Sequence, residues 1–313
     1  MRLVRDPFPP SDPGPDTALA IGNFDGLHLG HQALINAACD ALDGLTPALM
    51  CFEPLPATFF NPDRPVPRIL AVRDKLDLCR AYGIERVFMM RFNAAFSRLS
   101  PDEFVDRVIA GTARARRVVV GADFRFGARA AGNVERLIEL GRPHGIEVDV
   151  VEDVEVHAQR VSSSRIREAL ADGQLDAVRR FLGRGYSLSG RVLRGQQLGR
   201  SLGYPTVNLR PPRPAALSGV LAVRVSGAGL SDHPGVASLG RRPTVNGKTD
   251  LLEVHLFDYD GDLYGAHLSV EFLEYLRPEA KFDDLESMTR QMHEDAREAR
   301  AILQAPEILN PEP

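Results

Sequence analysis

The densest group of chemically capable side chains in the 313-residue sequence lies between Gly22 and His31. This stretch reads Gly-Asn-Phe-Asp-Gly-Leu-His-Leu-Gly-His and separates a short apolar run from a segment with helical spacing. His28 and His31 are three residues apart, so in the first turn of a helix both imidazoles would share one face. Backbone N–H groups at a helix start favour anions, and Gly30 would let a phosphate approach the backbone. The pattern fits a triphosphate held by glycines and two imidazoles.

Two other interpretations of this stretch stay open from the residues alone. The first is a glycine turn followed by incidental histidines, although Asn23, Asp25, His28 and His31 crowd into a very short segment. The second is a zinc site on His28 and His31. It would need at least one further ligand, and no metal-type spacing in the sequence supplies one.

A second candidate group is the run Ser-Ser-Ser-Arg-Ile-Arg at residues 162–167. Arg165 and Arg167 would lie in the first turn of a predicted helix, where the helix dipole disfavours cations. A bound anion would offset that cost. The alternative is simple serine capping with solvated arginines.

A third candidate group lies in the second half of the chain, at Thr206 and Asn208. The two residues are two apart on a predicted strand, so both side chains would point to one face. Hydroxyl and amide oxygens suit Mg²⁺ and a phosphate. Gly195, Gly199 and Gly203 could form a loop over those phosphates. From spacing alone, an ordinary barrel strand with turn glycines is the simpler interpretation.

The elements that would position the first two groups alternate between strand and helix. Strands are predicted at 17–23, 47–53, 84–91, 116–121 and 146–152, and helices at 28–42, 72–82, 101–110, 132–142 and 164–182. This alternation predicts an α/β domain with a parallel sheet and helices on its faces. Such sheets bind ligands at the carboxyl ends of their strands, where Gly22–His31 falls. The proline-rich residues 1–16 are expected to be an irregular lead-in.

The amino-acid pattern changes after residue 182, where glycines and short segments rich in β-branched residues dominate. Strands are predicted at 191–193, 206–209, 220–226, 251–258 and 267–273, with Asp260-Gly261 as a hairpin dipeptide. Short strands with glycine turns favour an all-β barrel or sandwich. The apolar spacing from Leu285 to Leu303 predicts one terminal helix, capped by Asp283. The change of texture predicts two domains, 1–183 and 184–313.

Composition excludes several classes of protein. The net charge of −4 argues against a chain that coats nucleic acid, and no helix-turn-helix pattern or basic region is present. No apolar run approaches the roughly 18 residues that a membrane span needs, and no signal-peptide core occurs, so we expect a cytoplasmic protein. The three cysteines form no C-x-x-C, so buried free thiols are expected in place of a disulfide framework or zinc knuckle.

With these residues in view, Gly22–His31 resembles the H-x-G-H signature of the nucleotidylyltransferase superfamily. Its form is similar to the adenylyltransferase half of bacterial bifunctional riboflavin kinase/FAD synthetases. Further segments resemble motifs of that family in the same order: 52–56 its F-x-P-x-P loop, 121–127 its G-x-D/N-F-x-F-G loop, and 162–167 its S-S-T-x-x-R motif, with Ser164 in place of threonine. The resemblance implies a Rossmann-like nucleotidylyltransferase domain.

The same resemblance implies roles for individual residues of this domain. Charge on the α-phosphate of ATP would be stabilised by His28, His31 and Arg167. The nucleotide would be bound by Gly22, Asn23, Phe24, Asp25, Gly30, Ser163 and Ser164. The flavin would be bound by Asp123 and Phe124.

The second half resembles riboflavin kinases. Residues 205–208 are similar to the P-T-A-N motif, with Val207 for alanine, and 219–221 to G-V-Y/F, with Leu221 for the aromatic residue. Segments 242–244, 252–258, 263–265 and 276–282 follow in family order. The resemblance implies a small β-barrel with Glu253 as general base, and strand alternation turns Glu253 away from apolar Leu252 and Val254.

Binding roles in the second half are likewise implied by the resemblance. Mg²⁺ would be held by Thr206 and Asn208. The nucleotide would be bound by the same two residues together with Gly195 and Gly199, and the flavin by Arg277. The departures at Val207 and Leu221 lie beside this site and bear on nucleotide or flavin affinity.

Together the two motif sets imply a two-step enzyme. Riboflavin would be phosphorylated by Mg-ATP to FMN, and FMN would be adenylylated to FAD with release of pyrophosphate. The expected partners are riboflavin, FMN and ATP, with neither nucleic acid nor membrane, and the oligomeric state is open. A cytidylyl- or pantetheine-type transferase with an appended barrel is disfavoured by Thr206, Asn208 and Glu253. A non-catalytic flavin-binding regulator is disfavoured because His28, His31 and Glu253 are all present.

Overall fold

The structure is a computed structural model that describes residues 1–5, 14–40, 44–194, 204–244 and 247–304, with the backbone alone at 241–244 and 247–249. These residues form two compact units. The first contains Met1–Val66 and Val72–Ser163. The second contains Pro67–Ala71 and the described residues from Ser164 onward.

The first unit is built on a six-stranded, all-parallel sheet. In sheet order its strands are β1 (Arg2–Arg5), β4 (Arg86–Arg91), β3 (Thr46–Glu53), β2 (Thr17–Ile21), β5 (Ala115–Gly121) and β6 (Glu147–Val151). Leu19 of β2 pairs with Ala48 of β3 and with Val118 of β5. Every residue of β2 is buried, as expected for a central parallel strand covered on both faces. The predicted Rossmann-like parallel sheet is confirmed.

Helices connect these parallel strands. They are α1 (Leu29–Cys39), α2 (Pro56–Phe60), α3 (Val72–Ala81), α4 (Pro101–Glu103), which continues as a π-helix over Phe104–Thr112, and α5 (Val134–Gly141). A two-stranded hairpin follows, made of β7 (Glu155–Val156) and β8 (Gln159–Arg160). Helix α4 starts at a capping box: Ser100 Oγ accepts from the Glu103 N–H at 3.1 Å, and Glu103 Oε2 accepts from the Ser100 N–H at 2.9 Å.

Two predictions for this half of the sequence were wrong. Residues 2–5 are not an irregular lead-in, because Arg2–Arg5 forms β1 and pairs in parallel with β4 at the sheet edge. The single helix predicted at 164–182 is two helices, α6 (Ser163–Ala171) and α7 (Leu175–Leu182). Between them Gly173 has φ +70°, and a Cβ there would lie 2.6 Å from the Tyr275 ring, so this position requires glycine.

The second unit contains a six-stranded antiparallel sheet. In sheet order its strands are β10 (Val207–Leu209), β13 (Gly247–Leu256), β12 (Leu230–Thr244), β11 (Gly219–Gly227), β14 (His267–Arg277) and β9 (Tyr186–Arg191). The sheet curls until its two ends meet, since the N–H of Leu193, just past β9, donates to the carbonyl of Asn208 in β10 at 2.8 Å. The predicted small barrel is confirmed.

The terminal helix α8 (Leu285–Gln304) covers one outer face of this sheet. Ala296, Ala299 and Leu303 pack in one cluster with Ala222 of β11. The predicted cap was wrong by one residue. Asp284 lies directly before the helix, and its Oδ1 accepts from the Ser287 N–H at 2.7 Å.

The hairpin expected at Asp260-Gly261 is not present, because β13 and β14 are not neighbours in the sheet. The tight hairpin joins β11 to β12 through Ala228 and Gly229, with φ values of +53° and +87°. Positive φ at both central residues is the mark of the primed turn that suits twisted strands. Strand β12 was not predicted, since Pro234 and Gly235 interrupt its pattern.

The three cysteines are free thiols, as predicted, but the predicted burial was wrong for Cys39, which is only partly buried. Cys51 and Cys79 are buried, and burial raises the pKa of the Cys79 thiol to about 12.

Candidate active sites

His28 and His31 meet at the start of α1, next to the carboxyl end of β2. Their rings stack with centroids 3.6 Å apart and an interplanar angle of 19°. His28 is the N-cap residue and therefore lies one position before the first helical turn in which it was predicted. Its Nδ1 accepts from the His31 N–H at 3.3 Å. This bond leaves Nε2 of His28 as the ring nitrogen that can carry a proton in the neutral imidazole.

The loop that leads into this cap has an unusual backbone. Phe24 and Leu27 have φ of +49° and +47° and are fully buried, and Gly26 has φ +94°. Left-handed conformations at bulky residues cost about 1–3 kcal/mol each and persist only where the surroundings enforce them. Gly30 packs against the cap, since a Cβ there would lie 3.3 Å from the His28 ring. The loop is therefore held in one strained shape.

Ser163 of the serine-arginine run contacts this loop. Ser163 Oγ donates to the carbonyl of Asp25 at 2.8 Å. Ser164 and Arg165 are exposed on α6. Arg167 belongs to the second unit, where its Nε donates to the carbonyl of Pro67 at 2.7 Å.

The predicted flavin-side loop follows the carboxyl end of β5. Phe124 closes a turn by donating its N–H to the carbonyl of Gly121 at 3.1 Å. Asp123 Oδ2 pairs with Arg160 Nη2 at 2.5 Å, and Arg160 Nε pairs with Asp153 Oδ2 at 3.0 Å. The hydrogen bond to Asp123 raises the pKa of the Arg160 guanidinium above its ordinary value. Both side chains are largely exposed, so this pair orients Asp123 more than it stabilises the fold.

A series of phenylalanine rings lies at the same edge of the sheet, and among its members the sequence analysis assigned a role to Phe124 alone. Phe52 is the next-to-last residue of β3, Phe92 follows β4 and Phe124 follows β5. The contacting rings have centroid separations from 5.2 to 6.1 Å, and the members of this series, which we call the aromatic ladder, are Phe52, Phe59, Phe60, Phe92, Phe96, Phe104, Phe124 and Phe126. One end of the ladder is open, because Phe60 is 67% exposed. The residues come from distant segments, so no local pattern reveals them.

In the second unit, Asn208 of β10 and Glu253 of β13 are direct cross-strand partners. Ser238 of β12 is the partner of Glu253 on its other side, so the three side chains share one face. Glu253 is half-buried, whereas Leu252 and Val254 are fully buried on the opposite face, which confirms the predicted alternation. Thr206 lies one residue before β10, so its orientation does not follow from strand geometry.

Asn208 carries an orphaned oxygen. The residue is 7% exposed, and its buried Oδ1 has no hydrogen-bond partner among the residues that the structure describes. A buried carbonyl oxygen without a donor is costly, and a hard cation is the kind of ligand that satisfies it. The donor chemistry of Asn208 and of the neighbouring Thr206 hydroxyl thus fits Mg²⁺. Within the described ranges, no group of three or more His, Cys, Asp or Glu side chains could hold a metal.

A cavity of about 590 Å³ opens beside Pro205, between β13 and α8. Rings of Tyr204, His255 and Phe257 line it. His255 Nδ1 donates to the carbonyl of Pro205 at 2.9 Å, and Tyr204 Oη bonds His293 Nδ1 at 2.5 Å. Burial lowers the pKa of His255 below its ordinary value, so the neutral imidazole is favoured.

The far wall of the cavity is charged. Arg300 of α8 makes a bidentate pair with Asp258, with distances of 2.7 and 3.0 Å. The hydrogen bond from Arg300 lowers the pKa of Asp258. The guanidinium also lies 4.2 Å above the Phe257 ring.

Two further predicted groups remain. Arg277 makes a bidentate pair with Asp295 of α8, with distances of 2.7 and 2.6 Å. This pair fastens the end of β14 to the terminal helix, and the predicted flavin contact stays a prediction. Gly195, Gly199 and Gly203 lie outside the described residues.

Comparison with known proteins decides what these two sites belong to. A model of the FAD synthetase family matches residues 12–165, and one of the riboflavin kinase family matches residues 182–303. A bifunctional riboflavin kinase/FMN adenylyltransferase of Pseudomonas fluorescens is 40% identical over 286 residues, which cover 90% of this chain and 91% of that protein. The chain belongs to the bifunctional riboflavin kinase/FMN adenylyltransferase family.

Other relatives agree. The Escherichia coli K12 protein of the same description is 36% identical over 304 residues, covering 96% of this chain and 97% of that one. The Haemophilus influenzae protein is 35% identical over 288 residues, covering 91% and 94%. The chain is therefore an enzyme of flavin cofactor biosynthesis with riboflavin kinase and FMN adenylyltransferase activities, whose substrates are ATP and flavins.

A solved structure is similar over most of the chain. A crystal structure from Streptococcus pneumoniae, described as a macrolide-efflux protein, superposes with a TM-score of 0.80 at 28% identity and covers 96% of this chain and 99% of that one. In the described part of the present chain, no helix has the length and apolar character needed to traverse a bilayer.

Proposed function

We propose that each unit of this family member carries one of its two activities at the site described above. The first unit transfers the adenylyl group at the His28–His31 cap. The second phosphorylates riboflavin at the face shared by Asn208 and Glu253. The observation that carries this assignment is the cross-strand pairing of Asn208 with Glu253, because it sets an oxygen ligand beside a carboxylate in the unit that matches riboflavin kinase.

In the kinase step, Glu253 accepts the proton of the 5′-hydroxyl of riboflavin as that oxygen attacks the γ-phosphate of ATP. A half-buried carboxylate beside the phosphate ligands suits this role, because a general base must lie within hydrogen-bond reach of the proton it removes. Thr206 and Asn208 hold the metal-bound nucleotide. Mg²⁺, when bound there, would neutralise charge on the phosphates.

The cavity beside Pro205 accommodates the base of the same nucleotide. It begins one residue from Thr206, and Tyr204, His255 and Phe257 offer aromatic surface to a planar ring. Gly195 and Gly199 are proposed to cover the phosphates, and Arg277 to contact the flavin, as the family motifs imply.

In the adenylyl step, a phosphate oxygen of FMN attacks the α-phosphate of ATP and pyrophosphate leaves. His28 and His31 stabilise the charge that develops on the transferring phosphate, which is electrostatic help from fixed donors. Residues 22–25, Gly30 and Ser163 bind the nucleotide. Ser164 belongs to the second unit, and its role at the nucleotide stays a prediction. The role of Arg167 at the phosphate, which the family motif implies, stays a prediction.

The aromatic ladder is proposed as the flavin surface of the first unit. Its exposed end, at Phe60, Phe59 and Phe92, offers ring faces and edges to an isoalloxazine, and offset or edge-on contacts between aromatic rings are favourable. Phe124 belongs to the same series of ring contacts, and Asp123 directly precedes it in the chain; both are proposed to complete the flavin side.

We place the boundary of the kinase module near residue 184. We also propose that the enzyme is located in the cytoplasm. Both steps consume ATP, and the three cysteines are free thiols, which suits a reducing compartment.

The test is separation of flavins by chromatography after incubation of the protein with riboflavin, ATP and Mg²⁺. We expect FMN to appear first and FAD to follow. Unchanged riboflavin would refute the proposal for the second unit, and FMN that is never converted to FAD would refute it for the first.

A further inference from the structure

A lysine of the first unit is buried behind the strained loop. Lys75 lies on α3 and is 1% exposed. Its Nζ donates to the backbone carbonyl of Asn23 at 2.8 Å. Among the residues that the structure describes, this neutral carbonyl is the one hydrogen-bond partner of the ammonium, and no carboxylate lies within ion-pair distance of it. A buried ammonium is costly without compensating negative charge.

Three side chains, including Lys75, donate hydrogen bonds to backbone carbonyls of the 22–28 loop. Gln32 Nε2 donates to the carbonyl of Leu27 at 2.9 Å, and Ser163 donates to that of Asp25. The three carbonyls flank or belong to the left-handed residues Phe24 and Leu27. Side chains from α3, α1 and α6 thus supply the constraint that this backbone needs.

The hydrogen bond from Lys75 to the Asn23 carbonyl also fixes the direction of the Phe24 N–H in the same peptide group. The peptide bond between Asn23 and Phe24 is trans, so its N–H points opposite to the carbonyl that Lys75 binds. Within the described chain, the Phe24 N–H makes no hydrogen bond. A free N–H beside an uncompensated positive charge, in the loop that ends at the His28 cap, is an arrangement that an anion satisfies.

We propose that Lys75 is a positioning residue of the adenylyltransferase, which together with Gln32 holds the 22–28 loop so that the Phe24 N–H meets a phosphate oxygen of ATP. This inference rests on the proposed function of the first unit. Lys75 does not touch the nucleotide. Its charge lies one peptide behind the contact, where the phosphates supply the missing negative charge.

The test compares Lys75→Met with Arg80→Met. Both changes remove a cation from α3, but the Arg80 side chain is 60% exposed and pairs with Asp77 on the surface. For Lys75→Met we expect kcat for FAD formation to fall about 10²-fold, since small misplacements of catalytic groups cost this much. The KM for FMN should stay within twofold, and FMN formation by the same protein should be unchanged. Arg80→Met should match the unmodified enzyme throughout.

The double variant of Lys75 and Gln32 distinguishes a shared positioning role from a simple loss of stability. If Lys75 and Gln32 hold one loop, the Lys75→Met/Gln32→Met double variant should lose less kcat than the product of the two single losses. Should Lys75→Met fail to fold, Gln32→Met decides: a fall of tenfold or more supports the proposal, and a kcat within threefold overturns it.

The outcomes separate the two levels of inference. If the unmodified enzyme converts FMN to FAD while folded Lys75→Met keeps kcat within threefold, the positioning role is overturned and the proposed function stands. If the unmodified enzyme makes no FAD from FMN, both are overturned.

Discussion

Asn208 and Glu253 are direct partners across β10 and β13, so their polar side chains lie together on one face of the second unit's sheet. Cross-strand partners in an antiparallel pair have Cβ atoms about 4.5–5.5 Å apart, which is the right scale for a ligand shared between them. An orphaned amide oxygen and a half-buried carboxylate at that separation have complementary tasks in phosphoryl transfer. Two predictions test them individually.

Glu253→Gln should slow FMN formation by about 10²–10⁴-fold, because the amide keeps the shape but cannot accept the hydroxyl proton. Riboflavin binding should change little, since the amide can still hydrogen-bond the hydroxyl. FAD formation from supplied FMN should be unaffected. Steady-state kinase rates and a riboflavin titration by flavin fluorescence measure this, with Glu274→Gln on β14 as the strand control. Near-normal turnover would show that Glu253 is not the base.

Asn208→Leu should separate activity from stability. Removing the oxygen should raise the KM for Mg-ATP by about 10–10²-fold, which corresponds to one charge-assisted contact. The free energy of unfolding should fall by no more than about 1 kcal/mol, since Oδ1 has no protein partner to lose. Kinase rates at varied Mg²⁺ and urea unfolding provide the two measurements. If the fall in the free energy of unfolding, expressed as a fold-change, is as large as the rise in KM for Mg-ATP, Asn208 is a structural residue.

His31→Ala should abolish most FAD formation and leave FMN formation intact. Loss of one preorganised group that stabilises charge costs about 10²–10³-fold in rate. The rate of FAD formation from FMN is the measurement, and His144→Ala in the same unit is the control. An adenylyltransferase rate within threefold of the unmodified enzyme would count against the role.

Much of the secondary structure could be predicted from the sequence because it depends on local residue patterns. The four inner strands β2, β3, β4 and β5 each contain an apolar run, and the His28–His31 spacing predicts adjacent rings, which the structure shows stacked. The sequence predicts the pairing of Glu253 with Asn208 only in part. Strand alternation gives the face on which Glu253 lies, but it does not identify the residue opposite it.

What could not be predicted depends on long-range contacts. The aromatic ladder joins residues from Phe52 to Phe126, and Lys75 binds a carbonyl on a loop some fifty positions earlier. Neither produces a periodic signal. Strand β12 was missed for a different reason, because prolines normally end strands. Pro234 pairs with Arg224 of β11 alone and Pro243 with Lys248 of β13 alone, so each proline of the described sheet has a strand partner on one side, as at a sheet edge.

Asp295→Leu should destabilise the second unit by about 3 kcal/mol, the lower end for a broken buried ion pair, because the Arg277 side chain keeps 22% exposure. Urea unfolding measures the change. The double variant Arg277→Met/Asp295→Leu should recover most of the loss, since no uncompensated charge remains. A double variant as unstable as the single one would show that the charge is not the cause.

The last prediction concerns the module boundary. A fragment beginning at Arg184 should make FMN and no FAD, because the Asn208–Glu253 face lies entirely within it. A fragment beginning at Ser164 should do the same and be the more stable, since α7 buries Leu175, Val178, Phe181 and Leu182 and contacts β9 and β14. Without α7, apolar surface of the sheet is uncovered, and we expect the melting temperature to be lower by about 5 °C or more. Calorimetry and flavin chromatography on both fragments measure this. A folded fragment from Arg184 that leaves riboflavin unchanged would place part of the kinase site before residue 184. Equal melting temperatures would show that α7 contributes nothing to the stability of the barrel.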